Sequence, residues 1–275
     1  MLLLVDIGNT RVKWARLVDG QMGKQHAAAN AGWDAQHYAR RVIGRGWSSG
    51  QGRIVVSSVA GDRTRRLLVA AARQAGAPVP EFVASERTAA GITTQYLEPW
   101  RLGVDRFVGA IGAHHLASGQ PVCVVNVGTA MTLDLIDGSG RHRGGAIVPG
   151  PALMVSSLLT ETNGIRKRAT GGANGVTSLF ARTTRTAIGQ GALYAAAAVV
   201  DRAIEEARAQ LGSQPLVLLT GGGSRDIKPL IRSSCVSLPD LVLHGLAVWA
   251  RSTAAPDRRH RSRNLGRSRK PRLLD

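Results

Sequence analysis

The chain has 275 residues, of which 44% are hydrophobic and 20% charged, enough apolar mass for one large folded unit or two ordinary ones and too much for a chain disordered throughout. Its formal net charge of +18 admits either a nucleic-acid partner or a polyphosphate ligand, so charge alone does not choose between them. Two cysteines, Cys123 and Cys235, exclude a disulfide framework; they lie in apolar strand-like stretches without metal-ligand spacing and point to a reducing, cytoplasmic setting.

Apolar periodicity predicts a strand over residues 2–7, a turn at Gly8 to Thr10, and a second strand over residues 11–18. The first apolar run meets Asp6 almost at once, too early for the apolar segment of a signal peptide or for a membrane span. A weakly amphipathic helix follows over residues 33–43, then a strand at 53–57, a helix at 62–74 and a strand at 81–84. Val104, Val108 and Ile111 share one helical face. From Val122 the pattern starts again, with strands over 122–127 and 131–137 around a turn and a glycine-bounded strand at 144–150. Helices are expected over 151–159 and 182–210. A strand at 215–220 then runs into Gly221, Gly222 and Gly223, with a helix from Ser224 and a last helix over 241–251. Strands alternating with helices make this an α/β chain. Residues 256–275 carry eight basic residues against two acidic ones and no apolar periodicity, which predicts a disordered basic tail and leaves +12 on the rest. No aromatic residue interleaves those arginines for stacking on bases, so the tail reads as a solvated extension, with no nucleic-acid partner expected.

One internal repeat sets the architecture. LLLVDIGNTRVKWARL and VCVVNVGTAMTLDLID share strand, turn and strand, with Asp6 opposite Asn126, Gly8 opposite Gly128 and Asn9 opposite Thr129. The separation is that of a small domain, so two similar units are expected, residues 1–118 and 119–255, with a cleft between them. The glycine in such a turn lets backbone amides approach a phosphate, and Asn9 and Thr10 add side-chain donors. Asp6 at the strand end suits Mg2+, held directly or through water, and Lys13 on the outgoing strand offers a point charge. No GxxxxGK[ST] sequence is present, so this is not a Walker phosphate loop. LTGGGS at 219–224 ends a strand and opens a helix, a turn under which a purine ring fits. Asp105 and Arg106 stand near a helix start, where a carboxylate is favoured; a carboxylate can take a hydroxyl proton and a guanidinium can hold an anion. His114 and His115 are adjacent on a helix, point to different faces and cannot chelate together.

With these residues in place the chain resembles the type III pantothenate kinases, within the acetate and sugar kinase/Hsp70/actin superfamily. The likeness runs through DIGNT at 6–10, Tyr96 with Pro99, GVDR at 103–106, NVGTAMTLD at 126–134, GGAIVPG at 144–150 and TGGG at 220–223. It implies two duplicated ribonuclease-H-like (actin-like ATPase) domains with the active site between them, a homodimer, no membrane association, and ATP-dependent phosphorylation of pantothenate as the first step towards coenzyme A. Carried over residue by residue, Asp105 is the general base. Tyr96, Gly103, Val104, Asp105, Arg106 and Thr184 contact pantothenate. Asp6, Ile7, Gly8, Asn9, Thr10, Arg11, Val12 and Lys13, with Thr129, hold ATP and its Mg2+. The chain departs from the family at Asn126, where members usually carry an Asp that helps bind activating potassium or ammonium; the amide keeps an oxygen but loses the charge. Two other readings share the fold, a transcriptional accessory protein without turnover and another phosphotransferase or phosphatase of the superfamily. The complete set Asp6, Lys13, Asp105, Arg106 and Thr129 favours the kinase.

Overall fold

The computed structural model describes residues 1–47, 52–169 and 178–254; the basic tail lies outside the described residues. The first half builds one sheet from β1 (Leu2–Ile7), β2 (Arg11–Val18), β3 (Gln21–Met22), β4 (His26–Ala29), β5 (Arg53–Ser58) and β6 (Glu81–Phe82), in the order β3-β2-β1-β5-β6 with β4 also beside β2. Leu3, Leu4 and Val5 are buried without exception, as a central strand covered on both faces requires. Helix α1 (Ala35–Tyr38) runs on as a π-turn over Ala39–Ile43, so the helix expected at 33–43 starts late and widens. Helix α2 (Gly61–Gln74) turns Leu68, Ala71 and Ala72 inward and its arginines outward.

The second sheet comprises β7 (Thr88–Ala89), β8 (Ile92–Thr94), β9 (Val122–Val127), β10 (Ala130–Ile136), β11 (Arg141–Pro149), β12 (Leu216–Thr220) and β13 (Val236–Ser237), in the order β13-β12-β9-β10-β11-β8-β7. Residues 88–94, grouped with the first unit on sequence, therefore hydrogen-bond into the second: β8 runs parallel to β11 through Thr93 opposite Arg141 and Thr94 opposite His142. Strand β11 also starts earlier than its glycines suggest, and β6 is shorter than the expected 81–84. The helices are α3 (Val104–Ala117), α4 (Pro151–Glu161), α5 (Asn163–Arg168), α6 (Thr184–Leu211), α7 (Ser224–Ile227) and α8 (Leu241–Ser252). Among the described residues no helix is long and apolar enough to cross a membrane, and both cysteines are free.

The repeat seen in the sequence is a repeat of topology. In each sheet a central strand (β1 or β9) has an antiparallel hairpin partner on one side (β2 or β10) and two successive parallel strands on the other (β5–β6 or β12–β13). Asp6 stands level with Lys13 and Ser57, Asn126 level with Thr132 and Thr220. This is the duplicated two-unit α/β architecture expected from the sequence.

Helices α3 and α8 join the two sheets. They cross at Gly112 and Gly245, where a Cβ on Gly112 would come within 2.8 Å of the Gly245 nitrogen and one on Gly245 would overlap the Val108 carbonyl. On its other side α8 places Leu243, Leu246, Ala247 and Ala250 against Leu4, Ala15 and Val55 of the first sheet. Arg53 fastens the same contact: it pairs with Glu81 and donates to the Ala250 carbonyl at 2.7 Å.

Candidate active site

Three glycine turns close the C-terminal ends of β1, β9 and β12. Gly8 N and Gly128 N fold back onto the Arg11 and Ala130 carbonyls at 2.9 and 3.1 Å, leaving Asn9, Thr10 and Thr129 exposed at the tips. The third turn seats on the second. Gly223 N donates to the Val127 carbonyl at 3.0 Å, and Gly221 has φ +90 with a Cβ position only 2.6 Å from Asn126 Oδ1, so only glycine fits both demands. Gly150 closes over the same place, its amide donating to the Thr129 carbonyl at 2.9 Å. Ile7 and Val12, inside the first turn motif, are core residues with no exposed surface and serve it through backbone alone.

The first turn and the start of α3 bring two carboxylates together. Burial pushes the Asp6 carboxyl up to about 6; Lys13 opposes this and the nearby Asp105 charge adds to it. Lys13 is anchored as well, its Nζ donating to the Pro239 carbonyl at 3.1 Å in the loop before α8. Asp105 lies in the first turn of α3, whose start is set by the extended backbone of Gly103 (φ −52, ψ 132). Its Oδ1 accepts from the Arg106 amide at 2.9 Å, and a side chain on residue 103 would come within 2.7 Å of that oxygen. Burial raises the Asp105 carboxyl above the usual carboxylate range; the Arg106 amide counters this and Asp134 reinforces it. Asn126 lies beside the buried Thr132 hydroxyl, which has no hydrogen-bond partner among the described residues, and Asp6 lies beside the buried Ser57 hydroxyl, which favours its ionised form.

Arg106 is 7% exposed. Its Nε and Nη2 hold the Asp134 carboxylate at 2.7–3.1 Å, while Nη1 donates to the Tyr96 hydroxyl at 2.9 Å. His142 Nε2 meets the same Asp134 oxygen at 2.7 Å. Burial works against the Arg106 charge, but the Asp134 hydrogen bonds more than restore it. The resemblance groups Tyr96, Gly103, Val104, Asp105 and Arg106; the structure puts residues 103–106 at the start of α3 with Tyr96 bonded to Arg106, and it joins to them Asp134 and His142, which sequence reasoning gave no role. An aspartate inside the apolar strand MTLDLI was the available signal. Among the described residues Thr184 makes no side-chain hydrogen bond to this group. It opens α6 half-buried, while its neighbours Thr183 and Thr186 cap that helix together.

A sequence model described as type III pantothenate kinase matches residues 2–206. A type III pantothenate kinase from Nitrosococcus oceani is 36% identical over 92% of this chain and 95% of its own length. One from Herminiimonas arsenicoxydans is 38% identical over 90% and 96%. Among solved structures, a Baf family protein from Campylobacter jejuni described as a transcriptional activator superposes with TM-score 0.55 over 89% of this chain and 94% of its own. It is only 17% identical, a likeness of fold alone.

Proposed function

The chain belongs to the type III pantothenate kinases, and from that premise we propose that Asp105 is the general base for phosphorylation of the pantothenate hydroxyl, with ATP held by the glycine turns. The activity is that of the family, a phosphoryl transfer in coenzyme A biosynthesis. The observation that carries the assignment of roles is the position of Asp105: a carboxyl raised by burial, in the first turn of α3, beside Asp6 and outside the phosphate turns. A raised carboxyl holds a proton better than an exposed one and is suited to take it from an alcohol as the oxygen attacks phosphorus. The proton passes to Asp105, the new bond forms at the γ-phosphorus, and the bond to the β-phosphate oxygen breaks.

Asn9, Thr10 and Thr129 meet phosphate oxygens at the exposed tips, with Lys13 beside the first turn. Mg2+, when bound with ATP, neutralises phosphate charge. Asp6 fits it, because a buried carboxylate facing a second carboxylate gains from a cation. Among the described residues no group of three or more His, Cys, Asp or Glu could hold a metal unaided, so phosphates and water would supply the remaining ligands. Asn126 offers an amide oxygen to potassium or ammonium. The active form is a homodimer: α4 buries none of its residues and leaves Leu153 and Leu158 exposed.

A coupled ADP-release assay with pantothenate as the varied substrate, and sugars and acetate as controls, tests the reading. Asp105→Asn should lower turnover by about 10²–10⁴ with ATP binding intact. A variant keeping more than about half the parent rate would remove Asp105 from the mechanism, since loss of a general base costs far more than that.

A further inference from the structure

We infer that Asp134 and His142 are positioning residues of the pantothenate site: they clamp Arg106, and through it fix the Tyr96 hydroxyl as a hydrogen-bond donor facing the substrate. The inference rests on the reading of the Tyr96–Arg106 pocket given above.

Its basis is the direction of each hydrogen bond. A guanidinium has donors only, so in the 2.9 Å contact between Arg106 Nη1 and Tyr96 the phenolic oxygen accepts. The hydroxyl's own hydrogen is thereby turned away from Arg106, and among the described residues it has no acceptor. A substrate carboxylate or amide carbonyl is the partner it lacks. Arg106 cannot swing round to replace Tyr96, because Asp134 holds Nε and Nη2 together, and Asp134 is in turn held by His142 Nε2. All three are enclosed, with 7, 2 and 0% of their surface exposed. Gly145 completes the enclosure, since a Cβ there would stand 2.5 Å from Arg106 Nη2 and 2.8 Å from Asp134 Oδ1. The Arg106 and Asp134 charges cancel inside the protein, so the pocket presents an aimed neutral donor where the sequence suggested a free cation. The same clamp fixes the first turn of α3, one residue from Asp105.

Steady-state kinetics on the full chain test this. Turnover of pantothenate by the parent is measured first, which separates failure of the functional reading from failure of the clamp. Tyr96→Phe should raise the pantothenate KM about tenfold, the effect of leaving a substrate acceptor without its donor, with the ATP KM unchanged. His142→Leu, an apolar replacement in a fully buried place, should raise the same KM by roughly threefold or more, while His142→Gln, which retains a donor to Asp134, restores it. Because Asp134, His142 and Tyr96 act along one line, the double variant Tyr96→Phe/His142→Leu should stay within about twofold of Tyr96→Phe alone. A merely structural role would lower the melting temperature and leave the pantothenate KM in place. Multiplicative effects, or a parent-like KM in His142→Leu, would overturn the clamp. Should His142→Leu not fold, Tyr96→Phe decides, and an unchanged pantothenate KM in it ends the proposal.

Discussion

Asp6 sits where its ionisation is opposed. With its carboxyl moved from 3.8 to about 6, the folded protein binds this proton more tightly than the unfolded chain. The group therefore costs nothing below pH 3.8, and its penalty grows as pH rises to about 6 and stays full above it. At ~1.4 kcal/mol per unit the full penalty is ~3 kcal/mol. Asp6→Asn should accordingly stabilise the fold by up to that amount at pH 7.5, gain nothing at pH 3.5, and lose most activity; urea unfolding at the two values checks it, and an equal gain at both would contradict the burial argument. The second unit already makes this replacement. Asn126 fills the corresponding strand end without the ionisation penalty, and gives up the charge that would attract a cation. Potassium should thus activate the parent only weakly, and Asn126→Asp should strengthen the response. Initial rates against potassium chloride, with tetramethylammonium chloride holding ionic strength, decide this; steep activation of the parent, unchanged in the variant, would refute it.

Among the elements, the crossing of α3 and α8 is the least forgiving. Gly245→Ala places a methyl on the Val108 carbonyl and must push the helices apart, at a cost of about 1–3 kcal/mol or more. Because α3 carries Asp105 at its start, kcat should fall along with the melting temperature; a variant that melts lower yet keeps the parent kcat would show that the crossing does not position the base. Elements with a full local pattern were legible in the sequence. The buried run of β1, the arginine-faced α2 and the long α6 each announce themselves by periodicity or composition. Strands β7, β8 and β13 did not, being two or three residues long and fixed by partners far along the chain. The site divided in the same way. The turn glycines, Asp6 and Asp105 were legible because their chemistry depends on local backbone, whereas the engagement of Arg106 depends on Asp134, a neighbour 28 positions away that no pattern in α3 reveals.

At the level of the whole molecule, the exposed Leu153 and Leu158 of α4 are the side chains proposed to join two copies. The protein should sediment as a dimer at micromolar concentration, and Leu153→Glu with Leu158→Glu should give a folded monomer; a parent that sediments as a monomer would remove this use of α4. The arrangement of α8 has a different consequence, one of timing. The surface of the first sheet formed by Leu4, Ala15 and Val55 is covered by Leu243, Leu246 and Ala250, which are synthesised 188 to 246 residues later. At ~5–20 residues per second the ribosome leaves that surface bare for roughly ten to fifty seconds. The half that is made first is therefore finished last. A nascent chain halted before Leu241 should remain open to protease within residues 2–58, and completion of α8 should close it.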